Sequence, residues 1–256
     1  MSLKDSDGLN ARQRQMLDRI IREGEVKIAD LRAAFEVTEM TIRRDLEKLE
    51  SSSPVKRTFG GVIYIGKDVA LQERSGQLLS EKILIGQLAA SIIQPGESIF
   101  IDGGTTTLQI AKSLPRGMNI TVVTNAMNVA YELSSKDIPT LVTGGILREV
   151  TSTLVGPMAV QALSTMAFDH VFLGATGINA EHGFSNSNLY EAEIKRVAMT
   201  RTGDVNVVLD HSKFGAKVLI SFAQLPSVHR VITDRRPEAE LLRVIEEAGV
   251  EVRFGK

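Results

Sequence analysis

Two glycines and three threonines, Gly103-Gly104-Thr105-Thr106-Thr107, directly follow the β-prone run Ser98-Ile99-Phe100-Ile101 and the carboxylate of Asp102. Small residues let the backbone approach a ligand closely. Amides without partners and three hydroxyls can donate hydrogen bonds, and a helix starting here would add the positive end of its dipole. These are the parts of a phosphate cradle. Comparable groups end other short apolar runs: Thr124-Asn125, Gly144-Gly145 followed by Arg148, Gly174-Ala175-Thr176-Gly177, and Asp210-His211-Ser212-Lys213. Each alone reads as a turn or a cap. A turn, however, has no use for the guanidinium of Arg148 or the ammonium of Lys213, so together they point to a pocket for a small anion. Glu191 and Lys195 are four apart and share a helix face; the plain alternative is an exposed ion pair.

A second set of residues could contact a polyanion. Thr38, Met40, Thr41, Arg43 and Arg44 lie on the outer side of an expected helix over 38–49, whose Ile42, Leu46 and Leu49 recur at i, i+4 and i+7 and must face a core. Thr38 reads as its N-cap. Lys56 and Arg57 sit in a β-prone run that a Gly60-Gly61 turn joins to Val62-Ile63-Tyr64, the pattern of a hairpin.

The elements that must position these groups fall into two modules. Over 12–21, Met16, Leu17, Ile20 and Ile21 recur at helical spacing opposite Arg12, Arg14, Arg19 and Arg22, of which Arg12 is a further candidate DNA contact, and Gly24 ends the helix. A short helix over 28–35 buries Ile28, Leu31 and Phe35, and Glu36-Val37 turns tightly into Thr38. This is the order of a helix-turn-helix followed by a wing, with the start of the third helix entering the major groove. From residue 98 onward, β-prone runs at 98–102, 120–124, 140–143, 171–174, 205–210 and 230–233 alternate with helical ones. That alternation predicts an α/β domain with a mainly parallel sheet, and such sheets bind ligands beyond the carboxyl ends of their strands. The expected division is 1–66 for the winged helix-turn-helix, 67–80 for a linker, and 81–256 for the second domain.

Composition narrows the field. The chain has no cysteine and only four histidines, which excludes disulfides, thiolate metal sites and cysteine nucleophiles and gives no reason to expect a metal or cofactor. No apolar stretch reaches the length of a membrane span, so a cytoplasmic protein with no membrane partner is expected. A net charge of -1 makes the placement of charges, rather than their total, decide any nucleic-acid contact.

Residues 12–64 resemble the DNA-binding module of the DeoR family of sugar-metabolism repressors. The likeness is carried by Thr41-Ile-Arg-Arg-Asp-Leu46 and by Lys56-Arg57-Thr58-Phe59-Gly60-Gly61. The segment Ser51-Ser52-Ser53-Pro54-Val55 departs from the family's glycine and apolar pair, and Phe59 replaces a more usual histidine. The resemblance continues through Asp102-Gly-Gly-Thr-Thr-Thr107, Thr124-Asn125, Thr143-Gly-Gly145 with Leu147-Arg148, Phe168-Asp169, Glu191-Ala192 and Asp210-His-Ser-Lys-Phe214, nearly the full chain. It implies a sensor domain with the fold of ribose-5-phosphate isomerase and glucosamine-6-phosphate deaminase, a phosphorylated-sugar effector and double-stranded operator DNA as partner; the symmetry of operators then calls for a homo-oligomer, a dimer or a tetramer. It also implies that Thr105, Thr106 and Thr107 hold the phosphate, that Lys213 adds charge, and that Asp102, Asn125, Arg148 and Glu191 bind sugar hydroxyls. Two other readings remain: a sugar-phosphate isomerase or deaminase using Glu191, Asp102 or Asp210 as base, and a DNA-binding protein whose second domain only oligomerises.

Overall fold

The computed structural model describes residues 9–23, 25–53, 55–58, 60–64 and 71–255. Gly24, Pro54, Phe59 and residues 65–70, which include the first four of the expected linker, lie outside the described residues, as do the side chains of Ile21, Arg22, Ile63 and Tyr64.

The N-terminal module contains α1 (Ala11–Glu23), β1 (Glu25–Lys27), α2 (Ile28–Phe35), α3 (Glu39–Ser52), β2 (Val55–Arg57) and β3 (Gly61–Tyr64). Met16, Ile20, Leu31, Ile42, Leu46 and Leu49 are fully buried together, and each such side chain removed from water contributes roughly 1.5–3 kcal/mol. Glu36 takes a left-handed conformation at the end of α2 (φ 51°), which turns the chain within two residues into Thr38. The wing forms with Val55 buried beneath it, so the unusual 51–55 segment still delivers the strand. One strand was not expected: β1 pairs antiparallel with β3, giving the order β1-β3-β2. The role expected for Gly61 therefore changes. It belongs to β3 rather than to the turn, and a Cβ there would meet the Val26 carbonyl oxygen at 2.5 Å, so only glycine allows the two strands this close.

The junction contains α4 (Leu71–Ser75) and the start of α5 (Leu79–Ala90). Beyond it come β4 (Ser98–Ile101), α6 (Thr107–Ser113), β5 (Thr121–Thr124), α7 (Met127–Ser134), β6 (Thr140–Val142), β7 (Ile146–Arg148), β8 (Thr153–Val155), α8 (Pro157–Ser164), β9 (His170–Gly174), β10 (Gly177–Asn179), β11 (Gly183–Asn186), α9 (Leu189–Met199), β12 (Val205–Val208), β13 (Ile220–Ala223), β14 (Arg230–Thr233), α10 (Ala239–Glu247) and β15 (Glu251–Phe254). Seven strands form one sheet in the order β15-β14-β12-β9-β4-β5-β6, and every pairing in it is parallel. The six expected runs all lie in this sheet. Two buried clusters occupy its two faces, one around Phe100, Leu173 and Val207, the other around Ile99, Ile101 and Phe172. A small antiparallel sheet, β10-β11-β13, and the β7–β8 hairpin rise at the carboxyl ends of the strands. Among the described residues no helix is long and apolar enough to cross a membrane.

Candidate functional site

The outer face of α3 begins with Thr38, whose Oγ1 accepts a hydrogen bond from the Thr41 N–H at 3.3 Å and lies 2.9 Å from the Thr41 hydroxyl. This cap fixes where the helix starts. Met40 is 62% exposed. Arg43 Nε donates to Glu39 at 2.9 Å, whereas no hydrogen bond or ion pair among the described residues holds the exposed Arg44. Arg44 is thus ready to donate to a base edge, where a guanidinium can serve two acceptors at once.

The other expected DNA contacts are more engaged. Arg12 Nε donates to Asp45 at 2.8 Å, and Gln13 Nε2 donates to the other oxygen of the same buried carboxylate at 2.8 Å. Arg57 reaches Glu47 at 2.7 Å and Glu50 at 2.8 Å, and it holds the Glu50 carboxyl below the usual range. Arg12 and Arg57 are therefore tied into the fold: one clamps α1 to α3, the other braces the wing against the recognition helix. Lys56 is exposed on the wing. Asp45, which sequence reasoning did not single out, is the anchor of the helix pair; a carboxylate among the apolar positions of α3 was the available signal.

In the second domain a cavity of about 250 Å³ opens where the strands of the parallel sheet end. Of the residues expected there, Gly103, Gly104, Thr105, Thr106, Thr107, Gly174, Glu191, Lys195 and Lys213 line it. The backbone N–H groups of residues 103–106 donate to nothing among the described residues, and Thr107 Oγ1 is shielded from solvent without a partner. A bound anion would satisfy them. Arg74, Gln77, Lys82, Thr151, Thr176, Asn186 and Ser212 also line the cavity, and of these only Thr176 and Ser212 stood in the strand-end motifs.

Six expected residues lie off the cavity wall. Thr124 donates its hydroxyl to Ile101 O at 2.6 Å and accepts from the Ala126 N–H at 3.1 Å, which shapes the end of β5. Asn125 is buried and donates to Leu154 O at 3.3 Å. Gly144 and Gly145 have φ of +70° and +115°, values that carry the chain from β6 into β7. Asp102 and Arg148 stand behind the lining. Arg148 Nε is 3.7 Å from Glu191 Oε1, and Asp102 Oδ2 accepts from the Gly174 N–H at 3.1 Å and from Lys195 Nζ. The plain alternative of an exposed Glu191–Lys195 pair does not hold: Lys195 is buried and Glu191 mostly shielded, and Lys195 bonds to Asp102 at the end of β4.

This polar layer is fully partnered around its carboxylates. Glu191 accepts from the Thr153 hydroxyl at 2.9 Å and from Asn186 Nδ2 at 3.0 Å. Burial alone would raise its pKa, but Lys195 together with Thr151, Asn186 and Thr153 outweighs burial and holds the carboxyl below its ordinary range. Burial pushes the Asp102 carboxyl upward, with Lys195 pulling against it. Asp210 Oδ1 accepts from the Ser212 N–H at 3.1 Å and from the Ser212 hydroxyl, capping the turn that carries Lys213. Across the cavity, burial lowers the pKa of Lys82; Asp210 counters this and Lys213 adds to it. The site thus has a cationic end, with Lys82, Lys213 and the threonine loop, and a polar end with Glu191, Asn186 and Thr151. Among the described residues no cluster of histidines and carboxylates could hold a metal ion.

Two family models match the chain: a DeoR-like helix-turn-helix domain over residues 12–68 and a DeoR C terminal sensor domain over residues 78–235. The chain is 35% identical over 215 residues to the HTH-type transcriptional regulator GlpR of Haloferax volcanii, covering 83% of this chain and 84% of that protein. It is 32% identical over 251 residues to a putative aga operon transcriptional repressor of Escherichia coli O157:H7, covering 96% and 93%. Among solved structures, ribose 5 phosphate isomerase A of Neisseria gonorrhoeae is similar at 16% identity with a TM-score of 0.39, over 52% of each chain.

Proposed function

Because the chain belongs to the DeoR family of transcriptional regulators, we propose that it is a repressor that binds the operator of a carbohydrate-utilisation operon and is released by a phosphorylated sugar. The observation that carries this reading is the union in one chain of an exposed recognition helix, with Arg44 at its outer face, and a cavity whose cationic end combines Lys82 and Lys213 with Thr105, Thr106 and Thr107. Residues 1–66 are taken as the DNA-binding domain, 67–80 as the junction and 81–256 as the sensing and oligomerising domain. A homo-oligomer follows from the geometry of DNA, since paired recognition helices read half-sites one helical turn apart. The protein works in the cytoplasm, beside that DNA.

The enzyme alternative is weakened by the engagement of its three candidate bases. Asp102 bonds to Lys195, Glu191 to Thr153 and Asn186, and Asp210 caps a turn. The chain is therefore read as a sensor and not as an isomerase or deaminase. The sugar phosphate favours a geometry that binds DNA less well, and a tenfold response needs only about 1.4 kcal/mol of differential affinity.

Operator binding by fluorescence anisotropy, with the upstream region of the protein's own operon and a panel of sugar phosphates at fixed salt, tests the proposal. One compound releasing the DNA supports it, and Lys213→Ala then raises the concentration needed about tenfold or more. Specific DNA binding that no sugar phosphate disturbs removes the sensor half of the reading.

A further inference from the structure

Helix α4 lies between the wing and the sensor domain, separated from β3 by residues 65–70 alone. Its first residue is fastened to the sensor domain: the Leu71 N–H donates to Val150 O at 2.9 Å, next to Thr151 of the cavity wall. Its far end is clasped by Lys82, whose Nζ donates to Arg74 O at 2.7 Å and to Gln77 O at 2.6 Å. Between α4 and α5, Leu78 is held left-handed (φ 48°), a conformation unfavourable to any residue but glycine. The junction therefore has a fixed shape that bends Arg74, Gln77 and Leu78 over the cavity.

Arg74 is incomplete within that shape. Its Nε is shut off from solvent and has no hydrogen-bond partner. A buried N–H without an acceptor is a standing cost, and an anion in the cavity would remove it. A guanidinium presents a planar fork that matches two phosphate oxygens. The surroundings suit such a ligand, since Lys82, Lys213 and the threonine loop line the same cavity, and Asp210, the carboxylate on that wall, is occupied by Ser212.

We propose that Arg74 is a ligand of the effector's phosphoryl group, so that the effector bridges the sensor domain and the junction that carries the DNA-binding domain. This rests on the cavity being the effector site. It supplies the physical link that the repressor reading requires. Effector in the cavity draws on α4, and through α4 on the segment leading to the wing, so occupancy and DNA affinity become one coupled equilibrium.

The test uses the full-length protein, titrated calorimetrically with inorganic phosphate and with sugar phosphates of three to six carbons, alongside hydrogen exchange of the amides of residues 71–82. The expected result is that Arg74→Gln weakens binding of the tightest of these compounds at least tenfold, Arg74→Lys recovers part of the loss, and that compound slows exchange across 71–82 in the wild type. If Lys213→Ala weakens binding while Arg74→Gln binds as the wild type does, the cavity is the effector site and the inference about the junction is overturned. If none of the compounds binds the wild type, or Lys213→Ala and Arg74→Gln both leave binding untouched, the cavity reading falls and this inference with it.

Discussion

Glu191 illustrates how one residue can serve both fold and site. Its carboxylate is nearly buried, yet it stays ionised because Thr153, Asn186 and Lys195 favour the charged form more than burial penalises it. Its folded-state pKa lies below its ordinary value of 4.5, so it contributes stability that is complete above about pH 4.5 and lost as pH falls through the folded-state pKa. Replacing it with Gln should lower stability at neutral pH by about 1–3 kcal/mol, the range for a buried hydrogen-bonded group left badly paired. It should also flatten the acid side of the stability curve. Thermal melts of wild type and Glu191→Gln from pH 7 down to about pH 2 check both, and parallel curves below pH 4.5 would remove Glu191 from the account. From residue spacing Glu191 was legible as an i,i+4 partner of Lys195, and the family resemblance added a role toward sugar hydroxyls. Its true partners come from β8 and β11, and no local spacing foretells them.

Among the elements, α3 carries two separable jobs on its two faces. Arg44 is on the face turned to solvent, and its loss should weaken operator binding by about 1–3 kcal/mol with no change in melting temperature. Asp45, the next residue, faces inward and receives Arg12 and Gln13. Asp45→Ala leaves both donors without their acceptor, so it should destabilise the N-terminal domain by about 1–3 kcal/mol and weaken operator binding through the fold. Effector affinity should survive in both variants. Circular-dichroism melts beside anisotropy titrations separate the two, and equal melting temperatures would show that the Asp45 clamp is not structural. The same contrast explains what was legible. Strands buried on both faces read as short continuous apolar runs, which is why the runs of β4, β5, β9, β12 and β14 were legible; the run of the edge strand β6 is apolar too, although its Leu141 and Val142 are exposed. The strands β1, β7 and β8 have three residues each, too few to show a period, and each exists because a partner strand lies beside it. Lys82 gave a signal that was readable: it stands three residues before Ile85 and seven before Ala89, on the buried stripe of α5, where an ammonium needs a reason to be.

At the scale of the whole molecule, the proposed reading of two half-sites by paired recognition helices calls for a surface on which two copies meet. The parallel sheet ends at β6, an edge strand with β5 as its one neighbour. Edges of this kind are normally blunted by charge or covered, because their free N–H and C=O groups pair readily with another chain. Here Leu141 and Val142 of β6 are both exposed, and β7 follows with Ile146 67% and Leu147 51% exposed. Consecutive residues of a strand point to opposite faces, so the apolar surface wraps the edge and continues into the hairpin. A patch of this composition suits a second copy of the same edge, since two-fold pairing would cover it on both molecules at once. None of these four residues lines the cavity. Ile146→Glu combined with Leu147→Glu should therefore shift the protein to monomer in sedimentation equilibrium and weaken operator binding by an order of magnitude or more, while sugar-phosphate affinity stays within about twofold. If the double variant keeps the wild-type mass, the copies meet elsewhere on the surface, and the spacing of the recognition helices must be set by a different face of the sensor domain.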